Sequence, residues 1–355
     1  MIRGRRVVSV ALVGICLAAV GCGGSTSPSN SGGASSSHLI VVLMPSTTNI
    51  ALAQWVLGAQ KLAQLDGYTL KIIENNFDQS QQNQQVQQEL GTSDKPVAYV
   101  WWPADASAGV ISLRALAKTG VPIFMSNQYP PSDQKQYVKA YAGVNDTFNG
   151  TVGGQSLIKA RDALLTMGVK LHGTNGNAVV LGFTPGYQAG IDRYAGFQQA
   201  IAGSGITILG KQDAGFDAPS GFKFMSELIS ADQGQGIDLV YAMNDQLAQG
   251  AIQALQAAGY KPGKNVEVVS ATCHGVIDEL TSGLEFASGV QPIKLEGELT
   301  LVTINKYLHG QKVPFNNFTP NPPIYGGTGP DNNIATVTVT GYDGSILHVQ
   351  DVCVY

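Results

Sequence analysis

Charge is scarce in this chain. Only 13% of its 355 residues are Asp, Glu, Lys or Arg, and the formal net charge is −4. Beyond the first few positions no basic run stands out, so the electrostatic footprint of a nucleic-acid partner is missing. Histidine is as sparse: five residues, scattered, none at zinc-type spacing from a second ligand. No metal and no cofactor is expected. The sequence has no Gly-x-Ser-x-Gly elbow to present a nucleophile. Neither a phosphate loop nor a dinucleotide fingerprint follows the first expected strand. These absences point away from an enzyme. The apolar run from Val7 to Val20 is about fourteen residues long, whereas a bilayer span needs about twenty. Of four cysteines, only Cys273 and Cys353 lie beyond the amino-terminal region. They pair in an oxidising compartment or stay as two buried thiols; the sequence leaves both open.

What is present begins at the amino end. Arg3, Arg5 and Arg6 precede the apolar run, which leads into Ala19-Val20-Gly21-Cys22. That order reads as an export signal over residues 1–22, with Cys22 as the acceptor of a lipid. Ala19-Val20-Gly21-Cys22 resembles the lipobox of bacterial lipoproteins, although Ala19 stands where Leu is usual. Arg5-Arg6 leaves the general and the twin-arginine export routes both open. Residues 23–38 are dominated by Gly, Ser, Thr, Pro and Asn, cannot bury a core, and read as a disordered tether. Such a tether spans about 20–23 Å on average. The expected location is therefore outside the cytoplasm, anchored to the cell membrane.

From residue 39 the pattern alternates strands and helices. Strands are expected at 39–44, 69–74, 97–102, 121–126 and 138–143, with helices at about 52–65, 84–90 and 107–118. A second series follows a long helix at 147–167: strands at 178–182, 206–211, 239–243 and 266–271, with helices at 188–202, 221–231 and 247–258. Helices are further expected at 275–282 and 293–309. Repeated β-α units imply parallel sheets covered by helices on both faces. The fold class is therefore α/β, as two similar units in tandem, with an extra carboxy-terminal hairpin. The tail at 315–331, rich in Pro, Asn and Gly, is expected to be irregular, ahead of a hairpin formed by 334–340 and 346–349.

In open parallel sheets, ligands bind beyond the carboxyl ends of the strands. In the first unit that rule selects Thr48, Asn49, Trp102, Ser126 and Asn127. In the second it selects Tyr187, Phe216, Asn244, Thr272 and Gln291. Phe183, Asp217, Asp245 and His274 fall in the same loops. Trp101 and Trp102 are adjacent and point to opposite sides of a strand; Trp102 is assigned to the cleft. Asn49 and Asn127 can equally cap the following helices. Amides offer donors and acceptors that match hydroxyls, and aromatic faces cover C–H surfaces. The expected ligand is a small, neutral, sugar-like molecule.

These residues resemble the periplasmic ribose/galactose-type substrate-binding proteins of ABC importers, from about residue 39 to about 313. The stretches that carry the likeness are Gly58-Ala59-Gln60-Lys61, Gly196-Phe197-Gln198-Gln199-Ala200, and the segment from Ala242 through Asn244-Asp245 to Ala251. Val144-Asn145-Asp146 is similar to the family's first interdomain crossover, and Phe216-Asp217 to a position where a ring stacks on the ligand. The resemblance implies two Rossmann-like lobes, 39–145 plus about 292–318 and 146–291 plus about 319–355, joined by three crossovers with the ligand cleft between them. It further implies hinge closure on the ligand, an ABC permease as partner and a monomer in solution. It also implies that Asn244 contacts the sugar. The departures lie in the pocket. Ser126-Asn127 replaces an Asp-Arg pair, Ile191 replaces an Arg with Arg193 close by as a further site residue, Ala51-Leu52 replaces an aromatic pair, and Trp102 replaces an Asn. Thr272 or Cys273 stands where an Asp is usual. A ligand sensor for a signalling receptor uses the same fold and remains a rival, as does a cell-wall carbohydrate-active enzyme.

Overall fold

The computed structural model describes residues 38–232 and 234–354. The expected signal, Cys22 and all but the last residue of the expected tether lie outside the described residues. Among the described residues, no helix is long and apolar enough to cross a membrane.

The chain opens with strand β1 (Leu39–Met44), helix α1 (Ile50–Leu65), β2 (Thr69–Glu74) and α2 (Gln79–Leu90). Next come β3 (Ala98–Trp101), α3 (Val110–Ala117), β4 (Ile123–Ser126) and β5 (Ala140–Gly143). Helix α4 (Asp146–Thr166) leads into β6 (Asn177–Gly182), α5 (Gln188–Ile201), β7 (Thr207–Asp213) and α6 (Ala218–Ala231). Then follow β8 (Leu239–Ala242), α7 (Asp245–Ala257), β9 (Glu267–Val269), α8 (Ile277–Ser282) and β10 (Ala287–Gly289). Helix α9 (Ile293–Leu308) precedes β11 (Asn316–Phe318), β12 (Pro323–Tyr325), β13 (Thr338–Thr340), β14 (Ile346–His348) and α10 (Val349–Val352).

Two six-stranded sheets result, ordered β11-β5-β4-β3-β1-β2 and β12-β10-β9-β8-β6-β7. All named pairings within them are parallel except β10 with β12. Both faces of each sheet are apolar because helices cover both, and all six residues of β1 except Leu39 are buried. The chain passes between the sheets three times: from β5 into α4, from β10 into α9, and from β11 to β12. Two helix pairs pack against each other at close range. A Cβ on Gly58 of α1 would lie 2.0 Å from the Lys294 carbonyl of α9. One on Gly196 of α5 would lie 1.9 Å from the Thr147 carbonyl of α4. Each of those backbones approaches too closely for any other residue.

Three expectations change. Helix α2 starts at Gln79, not near 84, because Asp78 caps it through the N–H groups of Ser80 and Gln81; its glutamine-rich first turn carries no apolar period. The tail is not irregular: β11 and β12 each add an edge strand to a different sheet. Pro323 begins an edge strand, where its missing N–H costs no interior bond. The hairpin ladder is shorter than 334–340 against 346–349, pairing only Thr338–Thr340 with Ile346–His348. Val349 starts α10 instead, held by a capping box between His348 and Asp351. For the two late cysteines, whose state the sequence leaves open, the structure gives one answer. They are bridged, with Cα atoms 5.2 Å apart. Val339, Val349 and Val352 of the appendage pack with Leu280 of α8, with Val290 just after β10 and with Leu295 of α9. The appendage therefore touches elements of both lobes.

Candidate functional site

The carboxyl ends of the two sheets face one another across a cavity. The first lobe contributes Asn49, Ala51 and Leu52 after β1, Phe77 after β2, Trp102 after β3 and Asn127 after β4. The second contributes Phe183 and Tyr187 after β6, Phe216 after β7, Asn244 and Gln246 after β8, and Thr272 and His274 after β9. Arg193 of α5, Gln291 and Ile293 close the hinge side.

The lobes meet through direct hydrogen bonds. Trp102 Nε1 donates to the Tyr187 hydroxyl at 3.0 Å, and that hydroxyl donates to Asn127 Oδ1 at 3.1 Å. The Gln188 N–H donates to Gln128 Oε1 at 2.7 Å. Asn127 holds φ of +64°, a region Asn tolerates better than most residues. Burial pushes the Tyr187 hydroxyl far above its ordinary value, so it stays protonated as a donor. The wall is aromatic. Phe77 stacks on Phe216 at 4.7 Å, and Phe216 packs against both Phe183 and Tyr187 at 4.9 Å.

The floor is polar and internally compensated. Arg193 is almost wholly buried; its Nε donates to Asp146 Oδ1 at 2.7 Å, Nη1 to the Met243 carbonyl at 2.7 Å and Nη2 to Gln291 Oε1 at 2.8 Å. The guanidinium also lies 5.2 Å from the Phe183 ring. Gln291 Nε2 donates to Glu296 Oε2 at 3.0 Å, which links the second lobe to α9. Burial lifts the Asp146 carboxyl to about 7 against the pull of Arg193. It lifts Glu296 to about 8. Burial also lowers His274 to about 4, leaving it neutral, with Nε2 2.9 Å from the Gln291 carbonyl oxygen. Asn244 is fully engaged: Oδ1 accepts from the Leu247 N–H at 2.8 Å, capping α7, and Nδ2 donates to the Phe216 carbonyl at 2.9 Å. Thr272 donates its N–H to Asp245 Oδ2 at 3.1 Å.

Nine of the residues selected from the sequence line this cavity: Asn49, Trp102, Asn127, Tyr187, Arg193, Phe216, Asn244, Thr272 and Gln291. Two do not. Ser126 is buried beneath the cleft, its Oγ accepting from Trp55 Nε1 at 2.9 Å and lying 3.0 Å from Thr300 Oγ1. The last residue of a buried strand points into the layer of α1 and α9, not beyond the strand end. Thr48 lies in an outer groove, its hydroxyl 3.0 Å from Ser46 Oγ. Asn49 caps α1 through the N–H groups of Ala51 and Leu52 while also facing the cavity. Trp101 belongs to the core on the opposite face of its sheet from Trp102. Phe77, Gln246 and Ile293 were not selected. Phe77 obeys the same strand-end rule, but placing the start of α2 near 84 hid it in a long loop.

The family described as the periplasmic binding protein domain matches residues 40–312. Among curated proteins, the galactofuranose-binding protein YtfQ of Escherichia coli K12 is 28% identical over 222 residues, 62% of this chain. That match takes in 65% of the relative's own length, just under two thirds. The ribose import binding protein RbsB of Bacillus subtilis 168 is 26% identical over 293 residues, covering 81% of this chain and 86% of that one. A crystal structure of a galactofuranose binding protein superposes with a TM-score of 0.71 at 24% identity, over 81% of this chain and 94% of its own. At that identity the likeness establishes the fold, whose paired lobes and cleft are those described above. With most of its length matched, the chain belongs to the periplasmic binding protein domain family.

Proposed function

We propose that this protein is an extracytoplasmic solute receptor that closes on a small, neutral, sugar-like molecule and delivers it to an ABC importer. It binds and does not transform its ligand. The observation that carries the reading is the cavity's lining: amides and a self-neutralised Arg193–Asp146 pair below, aromatic rings beside them. Asn127, Gln291 and Gln246 offer both donors and acceptors, as hydroxyls require. Rings cover apolar C–H surface at about 25 cal/mol per Å² buried. No uncompensated charge waits for an ionic ligand. The names of the two curated relatives, one for galactofuranose and one for ribose, support the same ligand class.

Hinge closure follows from the hydrogen bonds between the lobes. Each exists only when the lobes meet, so a ligand that contacts both lobes shifts the equilibrium towards closure by its differential affinity. Residues 39–145 with about 292–318, and 146–291 with about 319–355, act as the two moving bodies. A lipid on Cys22 tethers them to the membrane. The test is a thermal-shift screen against pentoses, hexoses, furanoses, polyols, nucleosides and amino acids. A rise in melting temperature confined to sugars or polyols supports the reading; a rise with amino acids or nucleosides alone contradicts it.

A further inference from the structure

Phe77 differs from the rest of the cavity lining in its backbone. Asn76 and Phe77 both hold left-handed φ, +50° and +60°. For a bulky residue such as Phe that conformation persists only where its surroundings impose it. Asn75 imposes it here. Its Oδ1 accepts from the Phe77 N–H at 3.0 Å, and its carbonyl accepts from the Asp78 N–H at 2.7 Å. Asn75 is itself fully buried, and its N–H donates to the Met44 carbonyl at 3.1 Å. The turn sends the Phe77 ring out of its own lobe and onto Phe216 of the other, with 26° between the ring planes. Phe77 packs against the apolar clusters of both lobes. The two rings also stand between two hollows: both line the inner cavity and both line the outer groove with Thr48, Asp105 and Thr184.

We infer that Phe77 is the first lobe's half of a two-ring clasp that shuts the mouth of the cleft and selects ligands by the apolar face they turn towards it. The stack with Phe216 forms only when the lobes meet, so it favours the closed state and slows escape. Ala51 and Leu52 also line the cavity but carry no ring. A sugar with a continuous C–H face, such as a deoxy sugar, packs against Phe77 and Phe216. A face crowded with hydroxyls would lose hydration there without gaining partners. The clasp stands on geometry alone; only the ligand class rests on the sugar-receptor reading.

The test uses the full chain and the substitutions Phe77→Ala, Phe216→Ala and the pair together. Alanine meets the same left-handed backbone restriction as phenylalanine, so Phe77→Ala removes the ring and leaves the turn. Unchanged circular dichroism establishes that each variant is folded, and Phe77→Tyr should behave as the native protein. Solution X-ray scattering of the ligand-free variants should show a more open average shape in each single variant. The double variant should open no further than either, because both remove one interaction. With the sugars that bind the native protein, dissociation should speed up at least tenfold with association little changed. The preference for a 6-deoxy sugar over its parent should shrink. Unchanged ligand-free scattering in Phe77→Ala, or independent additive effects of the two substitutions, would overturn the clasp. If no sugar binds the native protein, the receptor reading fails while the ligand-free scattering still decides the clasp.

Discussion

The indole N–H of Trp102 and the hydroxyl of Tyr187 meet across the cleft at 3.0 Å, and both residues are almost completely buried there. Because that hydroxyl also donates to Asn127, removing it strands two polar groups of the first lobe. Tyr187→Phe should therefore weaken closure by about 1–3 kcal/mol, roughly five- to 150-fold in Kd. Isothermal calorimetry with a sugar identified in the screen measures the change. An unaltered Kd would mean that the bond does not contribute to the bound state.

Asn244 has two jobs, and two substitutions separate them. Asn244→Ala removes the α7 cap and the bond to the Phe216 carbonyl. Stability should fall by about 1 kcal/mol and binding by about 1–3 kcal/mol. Asn244→Asp keeps a capping oxygen but has no donor for Phe216. It should restore the urea midpoint while leaving binding weak. Recovery of both would place the binding contribution in the cap alone.

The Cys273–Cys353 bridge spans a sequence separation of 80. By the loop-entropy argument it contributes about 4 kcal/mol, with native strain able to reduce that figure. Cys273 sits between the cavity residues Thr272 and His274, and the Val354 N–H donates to its carbonyl at 3.0 Å. Reduction, or Cys353→Ser, should lower the melting temperature and weaken ligand binding together. Identical melting curves with and without reductant, in protein shown to be oxidised at the start, would contradict this.

Glu296 sets a pH dependence of definite sign. Burial raises its carboxyl from 4.5 to about 8, so the folded protein binds this proton more tightly than the unfolded chain. The resulting stabilisation is complete below a pH of about 4.5 and is lost as pH rises through about 8. Asp146, raised from 3.8 to about 7, acts in the same direction. Glu296→Gln keeps a partner for Gln291 and removes the titration. Its stability relative to the native protein should improve steadily across that window in urea melts. A difference independent of pH would exclude Glu296 as the source.

Cys22→Ser tests the proposed anchor. The variant should leave the membrane fraction and appear in the soluble extracytoplasmic fraction, read by immunoblot. Continued sedimentation with membranes would require another attachment.

Much of this architecture was legible because its signals are local. The run at 39–44 is apolar throughout, as a strand covered on both faces must be, and it forms β1 with the same limits. The strand-end rule found most of the cavity because a parallel sheet puts all its loops of one kind on one edge. Ser126 escapes the strand-end rule for a physical reason: the last residue of a strand alternates inward as readily as outward, and only packing against Trp55 decides it. Phe77 was missed because α2 begins with glutamines that show no helical apolar period. Edge strands β11 and β12 are three residues each, too short for any period, and exist because the sheets supply their partners. The pairing of Cys273 with Cys353 depends on a Cα separation that no spacing in the sequence reveals.

Calorimetric titration of the purified protein with neutral sugars, beginning with furanoses, tests the central claim most directly. Saturable heat is expected at one site per chain, abolished or strongly weakened by Trp102→Ala. Titration of every neutral sugar and polyol without measurable heat, at protein and ligand concentrations that would reveal micromolar binding, would contradict it.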